Sequence, residues 1–395
     1  MERIEIPALM EPLLPAEGDR RLEDLAVELI THAAGLAAKL PTETVDTVAT
    51  LVRSMNCYYC NLIEGHNTHP VDIERALRGD YSKDSKKRDL QLEAFAHIEV
   101  QRLIDNPRVG FVDVVSWEHI KWIHREFCKR LSPELLKNQD PKTGLQINIV
   151  PGELRSGDVV IGDHLAPVAS ALPKFLALFE AKYDPQNISR LMRVIAVAAS
   201  HHRLLWIHPF YDGNGRVTRL FSHSFLKSVG IGSGLWSVSR GLARNVSEYK
   251  ARLAAADSWR EGDTDGRGSL SLTRLNEFCE FFLGTCIDQI KFMERILEPG
   301  TLTERVRKYC IEQIEEKKLP RGSFETLREL ILSGSLPRSR IAAVTNYKER
   351  QARTITSILT ERGLVKSDSP RADLKLNIPH EVVEEWFPKL YPQDL

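Results

Sequence analysis

A chain of 395 residues that is 42% hydrophobic and 27% charged has the composition of a globular protein with substantial cores, which excludes a fibre or a disordered chain. Lysine plus arginine equal aspartate plus glutamate at 54 each, so no overall field favours nucleic acid or a membrane, and any such contact must come from a local patch. No apolar run approaches the roughly 18 residues of a membrane span, Met1-Glu2-Arg3-Ile4-Glu5 is not a basic segment followed by an apolar one, and six scattered cysteines read as reduced thiols, which together predict a cytoplasmic protein without membrane contact.

In chain order, helical spacing dominates. Amphipathic helices are predicted near 21–40, 43–59, 88–106 and 116–131; in the second, Val45, Val48, Leu51, Val52 and Met55 share a face after Pro41-Thr42-Glu43. That helix ends on Cys57-Tyr58-Tyr59-Cys60, whose nearest further ligands, His66 and His69, stand too close for a zinc finger, so no zinc is expected. The one strong strand signal is Gln146 to Val150 and Asp158 to Gly162 around the turn-prone 151–157, which predicts a lone β-hairpin over 146–162 with an open edge. Leu191, Val194, Ile195, Ala198, His202 and Leu205 then predict a helix over about 189–206, and further helices follow near 246–257 and 274–297.

Between these helices lies His208-Pro209-Phe210-Tyr211-Asp212-Gly213-Asn214-Gly215-Arg216-Val217-Thr218-Arg219. His208 precedes a proline, which disfavours helical geometry and sets it on a helix-to-loop junction, where a neutral imidazole can take a proton from a hydroxyl. Phe210 is placed to anchor the loop in the core. Asp212 reads either as the N-cap of the helix that follows or, beside phosphates, as a Mg²⁺ ligand. Gly213, Asn214 and Gly215 allow a turn that gathers N–H groups at a helix N-terminus, an anion cradle, and Arg216 and Arg219 share a helical face from which to grip outer phosphates.

This run resembles the signature of the Fic family at every defining position. The resemblance implies a mostly α Fic core with a β-hairpin flap, and transfer of AMP from ATP to a Ser, Thr or Tyr hydroxyl of a protein target or of the chain itself. His208 would be the base, Asp212 the Mg²⁺ ligand, Gly213 to Gly215 the α- and β-phosphate cradle, and Arg216 and Arg219 the outer-phosphate clamps. The hairpin, with Arg155, Val159 and Val160, resembles the family's flap, which registers the target by strand addition. Glu248-Tyr249-Lys250, Leu253 and Asp257 resemble the segment lining the adenine pocket, with Lys250 where a second tyrosine is usual.

Upstream, Cys60-Asn61-Leu62-Ile63-Glu64-Gly65 resembles the family's inhibitory motif, with cysteine where a hydroxyl residue is usual. It implies that Glu64 pairs with Arg219 and competes with the γ-phosphate, leaving the enzyme at rest.

From Pro320-Arg321-Gly322-Ser323 the composition changes. Short helices near 325–332, 338–344 and 349–362, then a two-stranded wing at 364–367 and 372–376, outline a winged helix-turn-helix. Arg338, Arg340, Lys348, Arg350, Arg353, Arg362 and Lys366 outnumber Glu349 and Glu361 there, which makes 338–366 a candidate DNA contact, while the acidic, aromatic tail 381–387 would repel DNA and a winged helix equally serves protein docking or a homodimer.

The expected organisation is a helical region 1–110 carrying the inhibitory helix at about 43–65, a Fic core 111–298, a connecting helix 299–317 and a winged unit 318–395. The competing function is a DNA-binding regulator that uses the core as a nucleotide sensor; intact His208 and Asp212 favour the enzyme. Another nucleotide donor, or removal of AMP, stays open. Phosphate-transferring relatives depart at the glycines, and this chain does not.

Overall fold

Helical periodicity carries through to the structure, a computed structural model that describes residues 4–106, 113–139, 144, 146–232 and 234–392. The expected boundary at 110/111 lies outside these residues. The helices are α1 (Arg20–Ala37), α2 (Thr42–Ile63), α3 (Pro70–Leu77), α4 (Ser85–Asp105), α5 (Trp117–Cys128), α6 (Leu172–Tyr183), α7 (Arg190–Ile207), α8 (Asn214–Ser228), α9 (Val238–Arg244), α10 (Val246–Ala256), α11 (Leu272–Ile296), α12 (Pro299–Glu315), α13 (Ser323–Ser333), α14 (Ile341–Thr345), α15 (Glu349–Glu361) and α16 (Val383–Trp386). Periodicity does not reveal α3 or α9, which are too short, and α6 is masked by a proline that sits harmlessly in its first turn, where no N–H is needed. Among the described residues no helix is long and apolar enough to cross a membrane.

The chain divides into two compact units: residues 1–32, 56–233 and 237–289 form the first, and 33–55, 234–236 and 290–395 the second. In the first unit α8 packs against α7, α5 and α4, and Arg216 through Leu226 are all buried. A helix enclosed on every side belongs to a core, yet this one carries Arg216, Thr218, Arg219, Ser222, His223 and Ser224. Buried charges need partners, and Arg216 and Arg219 in the first turns of α8 find theirs in the site described below.

The expected pairing of 146–150 with 158–162 does not form. Instead β1 (Lys137–Gln139) pairs antiparallel with β2 (Gln146–Asn148), and β3 (Val160–Ile161) with β4 (His164–Leu165). The reason lies in the connecting segment. Arg155 N–H donates to Pro209 O at 3.0 Å and the Arg155 guanidinium to the carbonyls of His208, Gly157 and Pro167, which ties this stretch to the core and prevents it from turning a hairpin. Gly162, at φ +59°, with Asp163 closes a tighter local turn, which captures 160–161 for 164–165.

In the second unit the order after α12 is α13, β5 (Ser335–Leu336), α14, α15, β6 (Val365–Lys366) and β7 (Leu374–Leu376), with the antiparallel sheet ordered β5-β7-β6. The two strands expected at 364–367 and 372–376 thus pair and gain a third. Ala352, Ile355, Thr356 and Leu359 form the buried stripe of α15. The acidic, aromatic tail is part of this core: Trp386 and Phe387 are buried, and Arg305 Nε donates to Trp386 O at 2.7 Å. In the same unit Thr47 of α2 donates to Leu376 O at 3.1 Å.

Candidate active site

His208 caps α7 in the left-handed region, φ +49°, a conformation a non-glycine residue holds only under constraint. The constraint is visible on both sides: its N–H donates to Leu204 O at 3.1 Å, and its carbonyl accepts from Arg155 Nε at 2.8 Å. Burial first, then the charges of Arg155 and His164, lower the imidazole from its ordinary value to about 4. His208 is therefore neutral near pH 7 and able to accept a proton.

Phe210 is fully buried and stacks on His124, ring centroids 3.9 Å apart and 3° from parallel. Its backbone is braced by Asn214, which accepts from Phe210 N–H at 3.0 Å and donates to Phe210 O at 2.8 Å. Asn214 thus holds the loop with its side chain. The N-cap of α8 is Gly213, φ +78°, so the capping alternative for Asp212 is not realised. Asp212 is exposed, with one carboxylate oxygen accepting its neighbour's N–H, Gly213, at 2.6 Å. The first turn of α8 leaves the N–H groups of 214–216 without intrahelical partners, an arrangement that suits an anion.

Arg219 is 2% exposed, and its guanidinium is ion-paired to Glu64. Its Nε donates to Cys60 Sγ at 3.0 Å, so the cysteine of the upstream motif itself grips the arginine. α2 ends at Ile63; Gly65 turns at φ +83° and His66 N–H returns to Asn61 O at 2.9 Å, which holds Glu64 against α8. Burial alone would raise the Glu64 carboxyl, but the charge and hydrogen bond of Arg219 outweigh it and hold the group below the ordinary carboxylate value. A Cβ added at Gly215 would collide with this carboxylate, which places Glu64 directly over the cradle.

Of the residues expected along a bound base, Val160 is 46% exposed on β3 and Asp257 lies 3.1 Å from His202 Nε2. Val159 precedes β3 and is half-buried. Tyr249 departs from expectation: it is 2% exposed, its hydroxyl is 2.7 Å from His201 Nε2, and it hydrogen-bonds Arg219 from behind. With no open ring face, it supports the arginine.

Three site residues escape the sequence reading. His124 accepts Gly152 N–H at Nδ1, 2.8 Å, and hydrogen-bonds the Asp212 backbone, which couples the segment before β3 to the loop. Glu93 on α4 pairs with Arg216 at 3.0 Å, and His66 lies 2.6 Å from the same carboxylate oxygen. A signal for Glu93 does exist, since it falls on the buried face of α4 with Ala94, Ala96 and His97, where an unpaired carboxylate is rarely tolerated.

A helical core, a histidine at a helix end and two arginines in the first turns of the next helix are the arrangement expected of a Fic domain. Residues 114–226 match the model of the Fic/DOC family, and the chain carries that domain. Over 173 residues, 44% of this chain, it is 38% identical to the protein adenylyltransferase Fic of Drosophila erecta and 37% identical to that of Drosophila virilis. It spans 32% of the length of each. Among solved structures, a Fic family protein from Desulfovibrio desulfuricans G20 covers 93% of this chain and 98% of its own, with a TM-score of 0.52 at 17% identity. Fic-1 from C. elegans, solved as a segment of that protein, covers 71% of this chain and 73% of its own, with a TM-score of 0.50 at 16% identity. These two likenesses concern the fold.

Proposed function

We propose that the chain is a cytoplasmic protein adenylyltransferase that moves AMP from ATP to a Ser, Thr or Tyr hydroxyl on a protein target, and to itself, and that Glu64 restrains it. The observation that carries this reading is the placement of the Glu64 carboxylate over the cradle and on Arg219, where an ATP phosphate would otherwise sit. In the reaction, neutral His208 takes the hydroxyl proton, the hydroxyl oxygen bonds to the α-phosphorus, the bond from that phosphorus to the bridging oxygen breaks, and pyrophosphate leaves. The N–H groups at Gly213 to Gly215 and the forks of Arg216 and Arg219 hold the phosphate oxygens. The base extends toward Val159, Val160 and Asp257.

An exposed carboxylate beside a phosphate cradle suits Mg²⁺, which favours one or two carboxylates with phosphate oxygens and water. Asp212 would hold the ion, and the charge so supplied would offset the negative charge of the phosphates.

Intact-mass spectrometry after incubation with MgATP tests the reading. A gain of one AMP by Glu64→Gly, a smaller gain by wild type and none by Glu64→Gly/His208→Ala support it; no gain in any variant overturns self-modification, and equal gain by wild type and Glu64→Gly overturns the restraint.

The second unit favours an added partner. The helix–strand–helix–helix–strand–strand order and the exposed Arg350, Arg353 and Ser357 of α15 support a winged helix that contacts DNA through 338–366, with the same face available to a homodimer. Salt-dependent retardation of duplex DNA by the full chain, lost on Arg350→Ala/Arg353→Ala, supports DNA contact; no retardation at low salt overturns it.

A further inference from the structure

The motif reading pairs one arginine with the inhibitory segment and leaves the other free. The structure pairs both. His66 Nδ1 lies 2.8 Å from Arg216 Nη2 and 2.6 Å from Glu93 Oε2, while Arg216 Nη2 lies 3.0 Å from the same oxygen. A single ring nitrogen either accepts from the guanidinium or donates to the carboxylate. In both states His66 spends a hydrogen bond on the Arg216–Glu93 pair, whose guanidinium an incoming anion needs.

Exposure separates the fixed partners from the removable one. The Arg216 and Glu93 side chains are each 6% exposed, so that pair belongs to the core; the His66 side chain is 40% exposed and the Glu64 side chain 34%. His66 and Glu64 flank Gly65, whose left-handed turn presents them to α8 from one short stretch of chain. A cavity of about 260 Å³ is lined by His66, Glu93, Asp212, Gly213 and Arg216, so the imidazole forms part of the wall through which a phosphate would reach Arg216. The Arg216 guanidinium also lies over the Phe127 ring, 5.5 Å from its centroid, a further favourable contact in this position.

We propose that His66 is a second latch of the inhibitory segment, occupying Arg216 as Glu64 occupies Arg219, so that nucleotide binding must displace both side chains. The proposal rests on the restrained-adenylyltransferase reading above. It makes residues 64–66 a two-point clamp: loss of either point leaves partial restraint, and loss of both removes it.

The test is the dissociation constant for MgATP, measured by calorimetry in full-length protein carrying His208→Ala so that no transfer occurs. His66→Ala is expected to bind about three- to tenfold tighter, the change that one net hydrogen bond supplies. His66→Ala/Glu64→Gly is expected to exceed Glu64→Gly alone by a similar factor. His66→Gln, which keeps a group able to accept from Arg216, is expected to stay near the parent value, and it separates the latch from any general loosening of the loop. Tightening by Glu64→Gly with no change or weakening in His66→Ala overturns the second latch and leaves the proposed function standing. Absence of MgATP binding in every variant overturns the nucleotide reading and the latch with it.

Discussion

Glu64 and Arg219 stand 155 positions apart in the chain and form an ion pair at the meeting of the α2 C-terminus with the second turn of α8. A carboxylate at a helix C-terminus opposes the helix dipole by about 0.3–1 kcal/mol, so Glu64 is placed against local preference, and Arg219 offsets the cost. The arginine makes two kinds of contact from two edges, Nε to Cys60 Sγ and Nη2 to Glu64.

A lysine cannot reproduce this fork. Arg219→Lys is therefore expected to lose self-modification even in the Glu64→Gly background, because one ammonium cannot hold Cys60 and a phosphate together. It is also expected to lower stability by about 1–3 kcal/mol through the unpaired Cys60 and Tyr249 side. Urea unfolding and intact mass together check this; retained modification in Arg219→Lys/Glu64→Gly would remove Arg219 from phosphate binding.

The run 208–219 is legible in the sequence because its parts are neighbours in the chain, and a helix end, a turn and a helix start follow from Pro209, Gly213 and Gly215. Glu64 is legible through its own motif. Glu93 and His66 are harder to read: each has an ordinary local setting, and only the placement of α4 and of the turn after α2 beside α8 brings them to Arg216, 123 and 150 positions away. The hairpin misleads for a related reason. The β-branched residues of 146–150 and 158–162 are a local signal, whereas the partner strand is chosen by where Arg155 fastens the intervening chain. Tyr249 shows the limit of motif carry-over, since its position in the run says nothing of the His201 side chain that encloses it.

Histidines shielded from water, among them His119, His124 and His208, predict acid sensitivity. Burial lowers His119, His124 and His208 each to about 4 from an ordinary 6.5. Between those values the unfolded chain binds protons that the folded chain refuses, so their contribution is complete above pH 6.5 and is lost as pH falls toward 4. His66, raised by its hydrogen bond to Glu93, acts in the opposite sense, contributing below 6.5, but it is partly exposed and outnumbered. The urea midpoint is expected to be steady from pH 8 to 7 and to fall steadily from pH 6 to 4.5; a flat profile over that lower range would contradict the neutral state assigned to His208.

The Arg216–Glu93 pair predicts a stability effect distinct from that of the latch. Both side chains are enclosed, and removing one partner of a buried pair leaves the other charge uncompensated, at about 3–5 kcal/mol. Glu93→Ala is expected to lower the unfolding free energy by that amount, whereas His66→Ala, at a half-exposed position, is expected to change it by less than about 1 kcal/mol. Chemical denaturation of the two variants side by side checks the contrast.

Gly215 separates the space a phosphate needs from the group that fills it at rest. A Cβ there would meet the Glu64 carboxylate and would lie 3.1 Å from Arg219 Nη1. In the wild-type background Gly215→Ala is therefore expected to weaken the Glu64–Arg219 pair, which taken alone would favour nucleotide. The methyl group, however, occupies the mouth of the cradle itself, and truncating Glu64 does not move it. The two effects have opposite signs, and the steric one wins because backbone N–H groups at a helix N-terminus cannot retreat from a methyl group. MgATP binding is thus expected to be lost in Gly215→Ala and to stay lost in Gly215→Ala/Glu64→Gly, while Glu64→Gly alone binds tightly. Recovery of binding in the double variant would mean that the phosphates bypass the N-terminus of α8, and the cradle would have to be sought elsewhere along the β1–β2 side of the cavity.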